Sequence, residues 1–154
     1  MNEVNMEMGR TIYNSLCSVL DKMSIKYNKI EDKLVIVFGY KGQDMNHDLL
    51  IAVNANQEAI QLIERLPYSI DPDKASDVAM AICYVNNRLL SGKFTYDMKE
   101  TLSFELTQLY SGSLIGEATL QRMLLALIHT VEQFDDKFMA LNKGYLKAED
   151  FKEN

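Results

Sequence analysis

Two histidines are the side chains best suited to bind a metal or move a proton. His47 stands close to Asp44 and Asp48, and His129 lies far along the chain. A zinc site needs three or four converging nitrogen, sulfur or oxygen ligands, and neither histidine has ligands at a spacing typical of one. We interpret His47 as an exposed turn residue, with a weak surface metal site beside Asp44 and Asp48 as the alternative, and we expect no metal or cofactor.

Pairs of carboxylates could serve as general acid and base. The pairs at 135–136 and 149–150 are adjacent in sequence, so their side chains point apart on a helix, and both have polar neighbours. We interpret them as solvated faces. The segment 111–116 contains two glycines but lacks the lysine of a phosphate-binding loop, which favours a turn. No nucleophile has a base beside it, so we expect no catalytic residues and no enzyme.

Asn86 is the polar side chain that stands out, because it falls on the apolar stripe of a predicted helix. A buried amide must find hydrogen-bonding partners. We expect it to hold backbone groups of the following hairpin or of the helix end, with ligand recognition as the alternative. Tyr96, Met98 and Tyr110 could form an adaptable protein-contact patch, although ordinary core packing fits their spacing equally well.

The first half of the chain predicts one helix followed by strands. Apolar residues at helical spacing indicate an amphipathic helix over 9–23. A short strand is expected within 24–30, a central strand at 33–41 and its antiparallel partner at 48–54. The segment 56–70 fits a helix or a strand by spacing, and the neighbouring hairpin favours a strand that Pro67 ends.

The second half predicts a helix, a hairpin and a long helix. Asp71-Pro72-Asp73 has the residue types of a helix start, and that helix should run to about residue 91. Gly92 would end it, and alternating residues then predict a β-hairpin up to Tyr110. The last helix should begin near 117, leaving 147–154 as a polar, frayed tail.

This order, α-β-β-β-(β)-α-β-β-α, indicates an α+β fold with a mostly antiparallel sheet packed by helices. With 154 residues, residues 1–154 are expected to form a single domain with an ordered core at about 9–145. Cys17 and Cys83 lie among apolar neighbours on predicted helices, which is typical of reduced, buried cysteines.

Charge and hydropathy narrow the classes of partner. The formal net charge is −6, and the basic residues form no cluster, so neither nucleic acid nor a membrane surface is expected as a partner. No apolar run has the roughly 20 residues needed to cross a bilayer, and the N-terminal residues have no signal-peptide core. We therefore expect a cytoplasmic location.

The helix-hairpin-helix half resembles a known family. Its features are the sequence VNNRLLSGKF at 85–94, then Asp97, Leu102-x-Phe104 and Leu106, a turn of small residues, and an amphipathic helix ending near Phe138. This pattern resembles the YbjN-like family of bacterial domains, described as sensory transduction regulators, whose fold is similar to that of type III secretion chaperones. The resemblance spans about 5–145, and its most specific part is Asn86 with Gly92 and Phe94.

The resemblance implies a non-enzymatic domain that acts through protein contacts, commonly as a homodimer. Our leading hypothesis is a cytoplasmic protein-binding module, regulatory or chaperone-like, with a protein partner of unknown identity. The second helix and the hairpin would then carry the contact surface. The alternative is a small-molecule binding domain with a cavity between sheet and helices near Asn86.

Overall fold

The computed structural model describes residues 3–152, and over these residues the chain forms three α-helices and six strands. The helices are α1 (Glu3–Lys22), α2 (Ala75–Asn86) and α3 (Glu117–Asn142). The strands are β1 (Asn28–Ile30), β2 (Val35–Lys41), β3 (Asn46–Asn54), β4 (Ala59–Ser69), β5 (Lys93–Tyr96) and β6 (Thr101–Leu109). The predicted α+β order is confirmed, including the strand expected within 56–70.

The strands form one antiparallel sheet in the order β1-β2-β3-β4-β6-β5. The first four strands follow each other along the chain, and the β5–β6 hairpin then adds β6 beside β4. Pro67 does not end its strand as predicted, because β4 continues to Ser69. The pairing with β6 shifts register between Arg65 and Ser69, and such an irregularity tolerates a residue that has no N–H to donate.

One face of the sheet is buried, and the helices pack against the strands. Alternate residues of each strand supply this inner face, as expected for side chains that point to opposite sides of a sheet. On β2 and β3, for example, Ile36, Phe38, Leu49 and Ile51 are at most 2% exposed. The inner face and the helix stripes belong to one hydrophobic cluster.

Phe94 lies at the centre of the aromatic part of this core. Its ring centroid is 4.9 Å from that of Phe104 on β6, and 5.9 Å and 5.0 Å from those of Phe134 and Phe138 on α3. Gly92 lets the chain reach this position. Its φ is +77°, and a Cβ there would lie 2.4 Å from Phe104 Cζ, so another residue would be both strained and obstructed.

Asn86 fixes the start of β5, as its place on the apolar stripe predicted. Its Nδ2 donates to the Phe94 carbonyl at 3.0 Å, and its Oδ1 accepts from the Phe94 N–H at 2.8 Å. The side chain thus substitutes for a strand partner on one residue of an edge strand. Helix α2 ends at this residue and not near 91, because the intervening residues are needed to turn the chain back to Asn86.

The chain ends and Cys83 differ from the predictions. Residues 3–8 are helical, and residues 148–151 form a 3₁₀ turn. The expectation of a frayed tail is wrong at Phe151, which is 1% exposed and lies 5.0 Å from the Phe138 ring.

The two cysteines differ in burial, and both thiols are free. Cys17 is buried as predicted, but Cys83 is exposed, because it falls outside the buried stripe of α2, formed by Val78, Ala81, Ile82 and Val85.

We expect Asn86→Ala to lower the free energy of unfolding by about 1–3 kcal/mol, because it leaves the N–H and carbonyl of Phe94 without their partner. The neighbouring Asn87 is exposed, so Asn87→Ala is the matched control and should change the value by less than about 0.5 kcal/mol. Urea denaturation of both variants measures the difference. Equal losses would show that the amide of Asn86 does not hold β5.

Candidate functional site

The prediction that His47 is an exposed turn residue is wrong, because its side chain is fully buried on the inner face of β3. Tyr40 on β2 lies directly opposite and stacks on the imidazole, with ring centroids 4.9 Å apart. His47 Nδ1 is 2.6 Å from Glu64 Oε1 on β4, and His47 Nε2 is 3.3 Å from Asp135 Oδ2 on α3. We call these four residues the His47 cluster.

Neighbouring groups hold the His47 cluster in place. The Tyr40 hydroxyl donates to Glu64 Oε2 at 2.8 Å, and the Tyr68 hydroxyl donates to the backbone carbonyl of Asp135 at 3.0 Å. Gly42 lies against the ring, since a Cβ there would be 2.8 Å from both Cδ2 and Nε2 of His47. The two ring nitrogens lie close to the carboxyl groups, but neither contact has the alignment of a hydrogen bond.

Burial shifts the ionisation of the carboxylates. Desolvation raises the pKa of Glu64 to about 7, although the hydrogen bond from Tyr40 and the nearby His47 act in the opposite direction. Desolvation also raises the pKa of Asp135. The backbone N–H of Asp136, which donates to the Asp135 carboxylate at 2.7 Å, acts in the opposite direction and lowers this pKa. Both carboxyl groups therefore bind protons more readily than exposed ones do.

The His47 cluster can hold charge and protons, but its geometry does not suit metal binding or turnover. The two carboxylates contact opposite nitrogens of one ring, so the three groups do not converge on one point. Within residues 3–152, no group of three ligand-type side chains could hold a metal ion. The side chains of His47 and Glu64 have no exposed area and that of Asp135 has 8%, so a substrate cannot reach the imidazole.

The sequence contained a signal for the His47 cluster. His47 alternates with Leu49, Ile51 and Val53, and Glu64 occupies a similar inner position between Leu62 and Leu66 on β4. The period of two therefore places both side chains on the buried face. The reading of 135–136 as a solvated pair is wrong for Asp135, which is 6% exposed, whereas Asp136 is exposed.

The outer face of the sheet is open and has an apolar centre. Strand register places Val37, Leu50 and Ile63 side by side in one row, and Val35 and Ala52 in the next. These side chains are half-buried or exposed. A shallow depression of about 520 Å³ lies over Val37, Leu50 and Ile63 and extends to Pro67. We call the five apolar residues the open-face patch.

The chain is similar to known proteins in both sequence and structure. The family model described as "YbjN: Putative bacterial sensory transduction regulator" matches residues 14–140. The chain belongs to the YbjN family. A search of curated proteins found no match.

A solved structure described as "Crystal structure of YbjN, a putative transcription regulator from E. coli" resembles this YbjN-family chain with a TM-score of 0.59. The match covers 81% of this chain and 92% of the other at 10% identity, so it shows the shared fold. The predicted family and fold class are therefore confirmed. The likeness to secretion chaperones stays a prediction.

The three hairpin residues considered for a contact patch differ in exposure. In this YbjN-family chain Tyr110 is 4% exposed and belongs to the core, which is one of the two alternatives that its spacing left open. Tyr96 is half-buried and its hydroxyl donates to the Lys99 carbonyl, whereas Met98 is 59% exposed.

Over residues 3–152, no helix has the length and apolar character needed to span a bilayer.

The raised pKa of Glu64 predicts how stability changes with pH. Above the ordinary pKa near 4.5, the unfolded state releases this proton, whereas the folded state keeps it until about pH 7. Stability therefore falls as pH rises through this interval. We expect Glu64→Gln, which keeps an acceptor for Tyr40 and cannot ionise, to gain on the order of 1–3 kcal/mol relative to wild type between pH 5 and 7.5.

Urea denaturation across that pH range checks this expectation. The matched control is Glu149→Gln, since Glu149 is an exposed carboxylate. Its stability should follow that of the wild type at every pH. A Glu64→Gln curve parallel to the wild type would mean that Glu64 is already ionised in the folded protein at pH 5.

Proposed function

We propose that this chain is a non-enzymatic regulatory module that acts through protein–protein contact, and that it works as a homodimer joined through the open-face patch. The observation that carries the proposal is the contiguous apolar area of this patch on an uncovered sheet face. Its family is described as a sensory transduction regulator, and regulation that does not involve catalysis requires binding.

The charges around the open-face patch favour a second copy as the occupant. Strand register places Asp48 beside Arg65 and Glu105 beside Lys93 on this face, with Lys41 at its margin. The chain as a whole carries a formal charge of −6, but this face has both signs and no acidic excess. Two copies would therefore not repel each other here, and each could offer carboxylates to the other's cations.

The size of the face is also suitable. At about 4.8 Å between strands and about 3.3 Å per residue, the six strands span roughly 650 Å². Each partner in a standard protein interface buries about 800 Å². A face-to-face pair with modest contributions from the surrounding loops would reach that size, and sheets commonly pack on each other in this way.

The dimer is tested by light scattering, which measures the molar mass of the protein as it elutes from a size-exclusion column. We expect a mass of twice 17.6 kDa at micromolar concentration. Leu50→Lys should convert it to a single chain, because a lysine at the centre of the patch would be buried without a partner. Leu50 is 36% exposed in the single chain, so the substitution should leave the fold intact, as circular dichroism would show.

Leu114→Lys is the matched control, since Leu114 is 64% exposed and lies in the loop after β6. This variant should keep the dimer mass. A wild-type mass of one chain up to about 1 mM would reject the dimer, and equal dissociation by both substitutions would place the contact elsewhere.

A further inference from the structure

A second depression lies on the helix side of the molecule, between α3 and the segment that connects α2 to β5. Its volume of about 360 Å³ falls within the range of ~300–1,000 Å³ that small-molecule sites occupy. We call it the α3 groove. The sequence offered a cavity near Asn86 as the alternative function, and the α3 groove is close to that residue in the chain. Asn86 does not line the groove, however, and its amide is hydrogen-bonded to the backbone of Phe94.

The α3 groove has an apolar floor. Leu106 on β6 and Met123 on α3 are buried, and Leu89 and Ala126 beside them are half-buried. Leu90 stands at the rim and is 100% exposed. If a hydrocarbon chain filled the groove, the side of Leu90 that faces the groove would be removed from water. That burial of apolar surface is favourable.

The ionisable side chains that line the α3 groove are of the basic type, Arg122 and His129. Arg122 and His129 are exposed and lie seven residues apart on α3, which places them on the same side of the helix about 10 Å apart. Among the residues that the structure describes, none that lines the groove is acidic. Within the described residues, 3–152, Arg122 forms no ion pair. An acidic protein thus presents an unneutralised guanidinium beside an apolar depression.

We propose that the α3 groove binds a medium-chain monocarboxylate, with its hydrocarbon chain on Leu106 and Met123 and its carboxylate on Arg122. The planar guanidinium donates two parallel hydrogen bonds to a carboxylate, which suits Arg122 to this role. The volume admits a single alkyl chain and is small for a folded peptide segment. This activity is independent of the proposed dimer, because the groove lies on the helix side.

Titration of the full chain with decanoate tests the site. We expect saturable binding of one molecule per chain in calorimetry, with methyl shifts in NMR at Leu89, Leu106 and Met123. Arg122→Gln should weaken binding tenfold or more, because it removes a charge-assisted hydrogen bond while keeping a side chain of similar shape. Arg122 is exposed, and circular dichroism would confirm that the variant folds.

Two controls make the test specific. Arg10→Gln removes an exposed arginine from α1 and should leave the affinity unchanged, and 1-decanol, which lacks the charge, should bind at least tenfold more weakly. The proposal is overturned if decanoate shows no saturable binding up to about 5 mM, if Arg122→Gln binds equally well, or if decanol matches decanoate. Because Leu50→Lys should bind decanoate normally, failure of the dimer and failure of this site can be told apart.

Discussion

The placement of Phe94 is the constraint on which the second half of the fold depends. Its ring contacts Phe104 of the sheet and two phenylalanines of α3, so it joins the hairpin to the last helix. Its backbone is held by the amide of Asn86, and Gly92 makes the approach possible. Three residues within nine positions thus determine where β5 lies, and β5 is an edge strand with only β6 as a neighbour.

The His47 cluster provides a second connection between the sheet and α3, of a different physical kind. Hydrophobic contacts near Phe94 tolerate small shifts, whereas buried polar groups require their partners at short range. His47 on β3, Glu64 on β4 and Asp135 on α3 therefore fix the register of α3 on the sheet. Desolvation raises the pKa of both carboxyl groups, so their ionisation opposes folding.

Local patterns predicted most of the elements and the role of Asn86, because these depend on period, turn residues and side-chain spacing. They also identified β4, once the hairpin context was considered. The His47 cluster was missed for a physical reason: its members come from three elements far apart in sequence, and a histidine beside two aspartates reads as polar and exposed. The alternation of buried and exposed residues along β3, followed from Leu49 back to His47, would have predicted that His47 is buried. The burial of Phe151 was missed because a single aromatic residue in a polar tail forms no repeating pattern with its neighbours.

The uneven use of the two sheet faces bears on function. On the inner face, side chains are occupied with packing, and the buried polar groups of the His47 cluster contact one another. The open-face patch and the α3 groove lie outside this packing, on opposite sides of the sheet, and differ in chemistry: one is broad, apolar and mixed in charge, the other concave, apolar and basic. A flat apolar surface with both signs suits a large complementary partner, and a small basic groove suits an anion with a hydrocarbon chain. Ile63 of β4 belongs to the open-face patch, and Leu106 of the neighbouring strand β6 lines the groove, so two adjacent strands supply residues to the two surfaces.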